Sequence, residues 1–210
     1  MYKDHPIFLE SISFIKSKLK TNDFNHYEKK ILERLIHTSG DFEVQGLLKF
    51  SNNACKNALQ AIRCGAPILT DTDMAAIAIK TIAKHTNITS VYSAKDWVVP
   101  NKEYRNTKTS FGMEKAWLEL SQKYYGNKAP IVVFGSSPTA LEKLLDMIEF
   151  NDCCPSLIVG MPVGFIGVEK CKKRLISSQY PYIILESTRG GAAMAAATVN
   201  ALLREIIKSE

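Results

Sequence analysis

Long apolar runs are missing from this chain. No uninterrupted apolar stretch approaches the roughly 20 residues that a bilayer-spanning helix needs, so no membrane segment is expected. The opening Met1-Tyr2-Lys3-Asp4-His5-Pro6 holds no apolar signal core. Cysteines are few and odd in number: Cys55, Cys64, Cys153, Cys154 and Cys171. None forms a C-x-x-C pair, and adjacent Cys153-Cys154 is poor zinc-ligand spacing. Reduced thiols and the missing signal core together predict a cytoplasmic protein. Only four histidines occur, His5, His26, His37 and His85, which argues against a His-rich metal centre. No G-x-G-x-x-G follows a strand, and G-x-x-x-x-G-K-[ST] and G-x-S-x-G are absent. If the chain is a catalyst, these gaps favour chemistry without metal, nucleotide or other cofactor. No dense Lys/Arg run with interleaved aromatics appears, which argues against a nucleic-acid partner. Linkers, low-complexity tracts and internal repeats are absent too.

What is present is ordinary in amount and informative in order. The 210 residues carry a net charge of +6, which suits an anionic partner. That length predicts one domain over residues 1–210. Ile7, Phe8, Ile12, Ile15 and Leu19 recur at helical spacing. Asn25 with Glu28 is a capping box that opens a second helix, and Gly40 is a left-handed stop for it. His37 therefore lies in the last turn, one turn after Arg34 on the same face. Spacing alone leaves two roles open for His37: a cation at a helix C-terminus, or a general acid or base. The stretch Phe42 to Phe50 alternates in part and predicts an extended segment, and Ala54 to Cys64 a short helix.

From Pro67 onward the pattern is strand, then helix, five times. The apolar runs are Pro67–Leu69, Ile88–Tyr92, Ile131–Phe134, Leu157–Val159 and Tyr182–Leu185. The helical patterns run near 73–84, 109–125, 138–150, 168–178 and 190–207. This alternation predicts an α/β fold, a mainly parallel sheet with helices on both faces. Continuous apolar strands agree with burial on both sides.

The strand-to-helix turns hold the candidate chemistry. Asp71, Thr72 and Asp73 are each suited to cap the next helix, whose apolar stripe Met74, Ile77 and Ala78 recurs at helical spacing. Gly135-Ser136-Ser137-Pro138 combines a serine N-cap with proline at the first helical position, and its backbone N–H groups suit a carboxylate or phosphate. Gly160-Met161-Pro162-Val163-Gly164-Phe165 is an apolar loop fit to line a flat ligand. Arg189 with Gly190-Gly191 suits an anion at the start of the last helix. The loop from Ser93 to Lys108 is long and polar. Lys170-Cys171-Lys172-Lys173-Arg174 reads as a solvated helix face.

Several stretches together resemble the precorrin-8X methylmutase family. They are His5-Pro6-Ile7 with Glu10-Ser11, Arg34-Leu35-Ile36-His37 through Asp41-Phe42-Glu43, and Arg63-Cys64-Gly65-Ala66-Pro67 through Asp71-Thr72-Asp73-Met74. Gly160-Met161-Pro162-Val163-Gly164-Phe165, Arg189-Gly190-Gly191 with Ala195-Ala196, and Val199-Asn200-Ala201-Leu202 complete them. The resemblance spans nearly the whole chain. It implies an isomerase of cobalamin biosynthesis that moves a methyl group from C-11 to C-12 of a corrin precursor, with or without cobalt. The product would be hydrogenobyrinate or cobyrinate. It also implies an α/β fold, a homodimer and a tetrapyrrole substrate near the subunit interface.

By motif, His37 matches the family's catalytic histidine, and Ser11 and Arg34 match substrate-contacting positions. The resemblance adds Thr38, Asp71, Thr72, Met74, Lys108, Arg189 and Gly190 as candidate substrate-binding residues. Two stretches depart from the family. Its Thr-Arg-Ser-Ala appears as Thr107-Lys108-Thr109-Ser110, which keeps the charge and loses the planar fork. Its Gly-Arg-x-Gly-Gly-Ser appears as Ser187-Thr188-Arg189-Gly190-Gly191-Ala192. A different class remains open, a corrinoid carrier without turnover, although a carrier needs no titratable group beside the ring.

Overall fold

The computed structural model describes residues 4–19, 23–88, 90–100, 103–149 and 153–209. The chain begins with three helices, α1 (Pro6–Lys18), α2 (His26–Ser39) and the single turn α3 (Val44–Leu47). Strand β1 (Leu48–Phe50) and α4 (Ala54–Arg63) follow. The alternating part comprises β2 (Ile68–Thr70), α5 (Asp73–Ala83), β3 (Val91–Ser93), α6 (Lys108–Lys123), β4 (Ile131–Phe134), α7 (Pro138–Glu149), β5 (Leu157–Gly160), α8 (Val168–Ile176), β6 (Tyr182–Leu185) and α9 (Ala192–Ser209).

The strands form one sheet in the order β1-β6-β5-β4-β2-β3. β1 runs antiparallel to β6, with Leu48 opposite Leu185, and every other pair is parallel. Successive side chains on a strand point to opposite faces, and here both faces are covered. Ile131, Val133, Leu157, Val159, Ile183 and Leu185 pack into one layer with residues of α1, α2, α4, α5 and α9. Val132, Phe134, Ile158 and Ile184 pack into the other, with α6, α7 and α8. The expected α/β fold with helices on both faces is therefore what forms. Among the described residues no helix is long and apolar enough to cross a membrane.

Local chemistry set the helix ends as read. Asn25 and Glu28 form the capping box, and Gly40 closes α2 at φ +67°. Ser137 accepts from Ala140 N–H ahead of Pro138. Of the three cap candidates before α5, Thr72 takes the role and accepts from Ala75 N–H.

Four expectations need correction. Phe42 to Phe50 is extended only over β1. Asp41 accepts from Glu43 N–H at 2.8 Å, which starts a turn that continues as α3. On α5 the stripe Met74, Ile77 and Ala78 faces outward, with Met74 69 % and Ile77 65 % exposed. Its inner face is Ala75, Ala76, Ile79, Ile82 and Ala83, the face on which α5 packs against α9. On α8, Cys171 and Lys172 are buried with Val168 and Leu175 at helical spacing, so that face is not solvated. The strand expected over Ile88–Tyr92 is observed as Val91–Ser93, and residue 89 lies outside the described residues.

The loop after β3 is tied down where it is described. Ser93 and Asp96 make a capping box around a 3₁₀ turn at Ala94–Trp97. Trp97 donates its indole N–H to Glu119 at 2.8 Å.

Candidate active site

α1 lies against α2, and the contact places Ser11 on His37. Ser11 Oγ and His37 Nδ1 share a hydrogen bond of 2.9 Å. Phe8, one turn before Ser11, sets its ring edge-on to the imidazole at 5.0 Å between centroids. The guanidinium groups of Arg34 and Arg204 lie 5.0 and 5.1 Å from the Phe8 centroid. Arg204 is ion-paired with Asp4. The pair of arginines makes a positive field around the imidazole. Partial burial first, then Arg34 and Arg204, hold His37 below the ordinary histidine value. The helix C-terminus would favour the cation, and those three influences outweigh it. His37 is therefore neutral near pH 7, with Nδ1 engaged by Ser11. A neutral imidazole fixed at one nitrogen is suited to pass a proton at the other. Thr38, the next residue, is exposed and donates its hydroxyl to Arg34 O at 2.8 Å.

A second group closes on the turn that follows His37. Arg189 donates to Asp41 Oδ2 at 2.5 Å and to Glu43 Oε2 at 2.6 Å. The anion clamp expected at Arg189 thus holds two carboxylates of the chain itself. Gly190 is where two strand exits touch: a Cβ there would lie 2.2 Å from Met161 O. Arg189 and Gly190 therefore join Ser11, Arg34, His37 and Thr38 through the Asp41–Glu43 turn.

Among the described residues no hydrogen bond, ion pair or ring contact joins Asp71, Thr72, Met74 or Lys108 to His37; they belong to the exits of β2 and β3. Asp71 is fully buried. Its carboxylate accepts from Gly135 N–H at 3.1 Å and from Ser136 and Ser137 N–H at 2.7 Å each. The N–H nest predicted to hold a carboxylate does hold one, and that carboxylate is Asp71. The link spans β2 and β4, where the chain reverses its direction of travel across the sheet. In open α/β sheets that switch point is the usual ligand crevice; here Asp71 bridges its two sides. Burial pushes the Asp71 carboxyl above its ordinary value, against the pull of the three N–H groups. Thr72 is spent as a cap, whereas Met74 and Lys108 are exposed at the same edge.

The apolar loop after β5 projects at this edge, with Phe165 and Ile166 each 89 % exposed. A cleft of about 1150 Å³ lies between α1, the start of α2 and β1, lined by Phe14, Phe24, Phe42 and Phe50 with Lys18 and Lys49. It contains no histidine. Of its lining residues, Phe42 and Glu43 belong to the turn that follows His37, and the candidate titratable group lies at the end of α2. Phe8 and Arg204 were missed in the sequence. The spacing of Phe8, three residues before Ser11, is a signal for it. Arg204 has none, since only the packing of α9 on α2 delivers it.

A sequence profile of the precorrin-8X methylmutase family matches residues 6–205. The chain is 31 % identical to the cobalt-precorrin-8 methylmutase of Synechocystis sp., covering 95 % of each chain. It is 32 % identical to the precorrin-8X methylmutase of Pseudomonas aeruginosa, over 95 % of this chain and 94 % of that one. The fold superposes on the crystal structure of a precorrin-8X methyl mutase from Thermus thermophilus with a TM-score of 0.86 and 29 % identity, covering 97 % and 96 % of the two chains.

Proposed function

The chain belongs to the precorrin-8X methylmutase family, and from that premise we propose that it moves a methyl group from C-11 to C-12 of a precorrin-8X-type macrocycle, with His37 as proton donor and acceptor. The observation that carries this reading is the 2.9 Å Ser11–His37 pair inside the field of Arg34 and Arg204. Ser11 holds Nδ1, so the imidazole works through Nε2. Once the substrate's carboxylates offset the arginine field and His37 takes up a proton, the imidazolium gives its Nε2 proton to the conjugated ring, which becomes electron-poor while His37 returns to neutral imidazole. The methyl group then migrates to the adjacent carbon, and the proton returns to His37. Reactant and product have the same atoms, as an isomerisation requires. Peripheral carboxylates of the substrate meet Arg34. Those negative charges offset the field that lowers the His37 pKa, so the imidazole becomes a readier proton carrier when the ring is bound. The net charge of +6 suits a polycarboxylate. Phe165 and Ile166 suit the face of a flat ring. We also read the protein as a homodimer, to which the outward apolar stripe Met74 and Ile77 is suited.

The test begins with hydrogenobyrinate, whose visible spectrum reports its own surroundings. A stoichiometric shift that survives gel filtration is expected. With the unshifted precursor, His37→Ala should lose roughly 10²–10⁴-fold in turnover and still bind the product. Equal turnover in variant and parent refutes the acid/base role, and binding without turnover in the parent makes the protein a carrier. Light scattering checks the dimer, and a monomer at working concentration contradicts it.

A further inference from the structure

Lys172 is the one fully buried lysine among the described residues, 1 % exposed. Its ammonium has no carboxylate partner among them. Instead Nζ donates to two main-chain carbonyls, Ser187 O at 2.9 Å and Arg189 O at 2.6 Å. A buried charge is costly unless hydrogen-bonded, and this one directs its hydrogen bonds at a single loop, the β6–α9 connection. Burial lowers its pKa to about 8, so it stays mostly protonated at neutral pH.

That loop needs an anchor. Ser187 sits at φ +68°, a left-handed conformation that L-residues other than glycine seldom adopt. Gly191 N–H donates to Met161 O at 2.9 Å, and Gly164 N–H to Thr188 O at 3.1 Å. The exits of β5 and β6 are thus sewn together above the ammonium. From this loop Arg189 reaches Asp41 and Glu43, within six residues of His37 in the chain.

We propose that Lys172 anchors the β6–α9 loop from beneath and, through Arg189, is a positioning residue for the end of α2 that carries His37. The first half stands on geometry alone, and the second rests on the proposed function. A methionine in its place fills similar space and leaves both carbonyls without a donor, so the loop would relax toward other backbone conformations. Arg189 would then no longer meet both carboxylates at once.

The experiment is hydrogen exchange on the full chain, parent against Lys172→Met, with Lys173→Met as the exposed neighbour. In a variant that unfolds cooperatively, peptides covering Gly164 and Gly191 should exchange at least about tenfold faster, and Lys173→Met should change nothing. Unchanged protection in folded Lys172→Met overturns the anchor. Faster exchange with hydrogenobyrinate affinity and turnover both at parental values overturns the positioning role; a drop in kcat larger than the change in KM supports it. If the parent gives no spectral response to the corrinoid, the proposed function fails, while the exchange result still decides the anchor. Should Lys172→Met not fold, ¹⁵N-lysine labelling of the parent reads the same contact. One slowly exchanging ammonium signal is expected, and its absence overturns the anchor.

Discussion

Replacing Asp71 by alanine separates a structural role from a ligand contact. The parent carboxylate satisfies three backbone N–H groups at the β4–α7 turn. Each buried donor left without a partner costs about 1–3 kcal/mol. Gly135 is buried, whereas Ser136 is exposed and Ser137 only partly covered. Water can reach two of the three donors, which places the expected loss in the lower half of the range, roughly 3–5 kcal/mol. For a chain of this length that lowers Tm by roughly 6–20 °C. Asp71→Asn should fall between variant and parent. Its oxygen can still accept from Ser136 and Ser137, but its NH₂ then faces the Gly135 N–H, which costs about 1–3 kcal/mol. Urea unfolding and differential scanning calorimetry measure both variants, and hydrogenobyrinate titration follows binding in parallel. Asp71→Ala with Tm within about 2 °C of the parent and a large loss of corrinoid affinity would refute the reasoning, because Asp71 would then serve the ligand rather than the switch point.

Two further outcomes follow from the site. Arg34→Met removes a positive charge beside His37, so the imidazole should titrate at higher pH than in the parent; ¹H–¹³C NMR of the ring checks the sign, and an unchanged or lower value refutes the field argument. In the parent the lowered pKa keeps His37 neutral further into acid than a free histidine, and in Arg34→Met that range shrinks. Gly190→Ala puts a methyl group 2.2 Å from Met161 O, against backbone that cannot yield as a side-chain tip does. It should cost at least ~2 kcal/mol by urea unfolding, and a neutral result would mean that the two loops separate easily.

Much of the candidate site was legible because its first elements are local. The capping box at Asn25 and the left-handed stop at Gly40 place His37 in a terminal helical turn from sixteen residues of sequence. The spacing of Arg34 and His37 puts them on one face. Thr72 as a cap and Ser137-Pro138 as a helix start depend only on residues within a turn of themselves. The outward turn of Met74 and Ile77 was not legible, since α5 is apolar on both sides and only its packing on α9 selects the inner face. Lys172 was hidden for a related reason: in a run of basic residues nothing local marks the one that points inward.

Sequence alone determined most helix ends, the α/β alternation, and the place of His37 at a helix end. These follow from capping, periodicity and backbone freedom, which act over about four residues. Tertiary structure decided which partner each charged group received. Asp71 met the N–H groups after β4, Arg189 met Asp41 and Glu43, and Ser11 met His37, all across elements distant in the chain. A carboxylate or guanidinium takes whatever complementary group the strand order brings within about 3 Å, and that order is set by how whole layers bury their apolar faces.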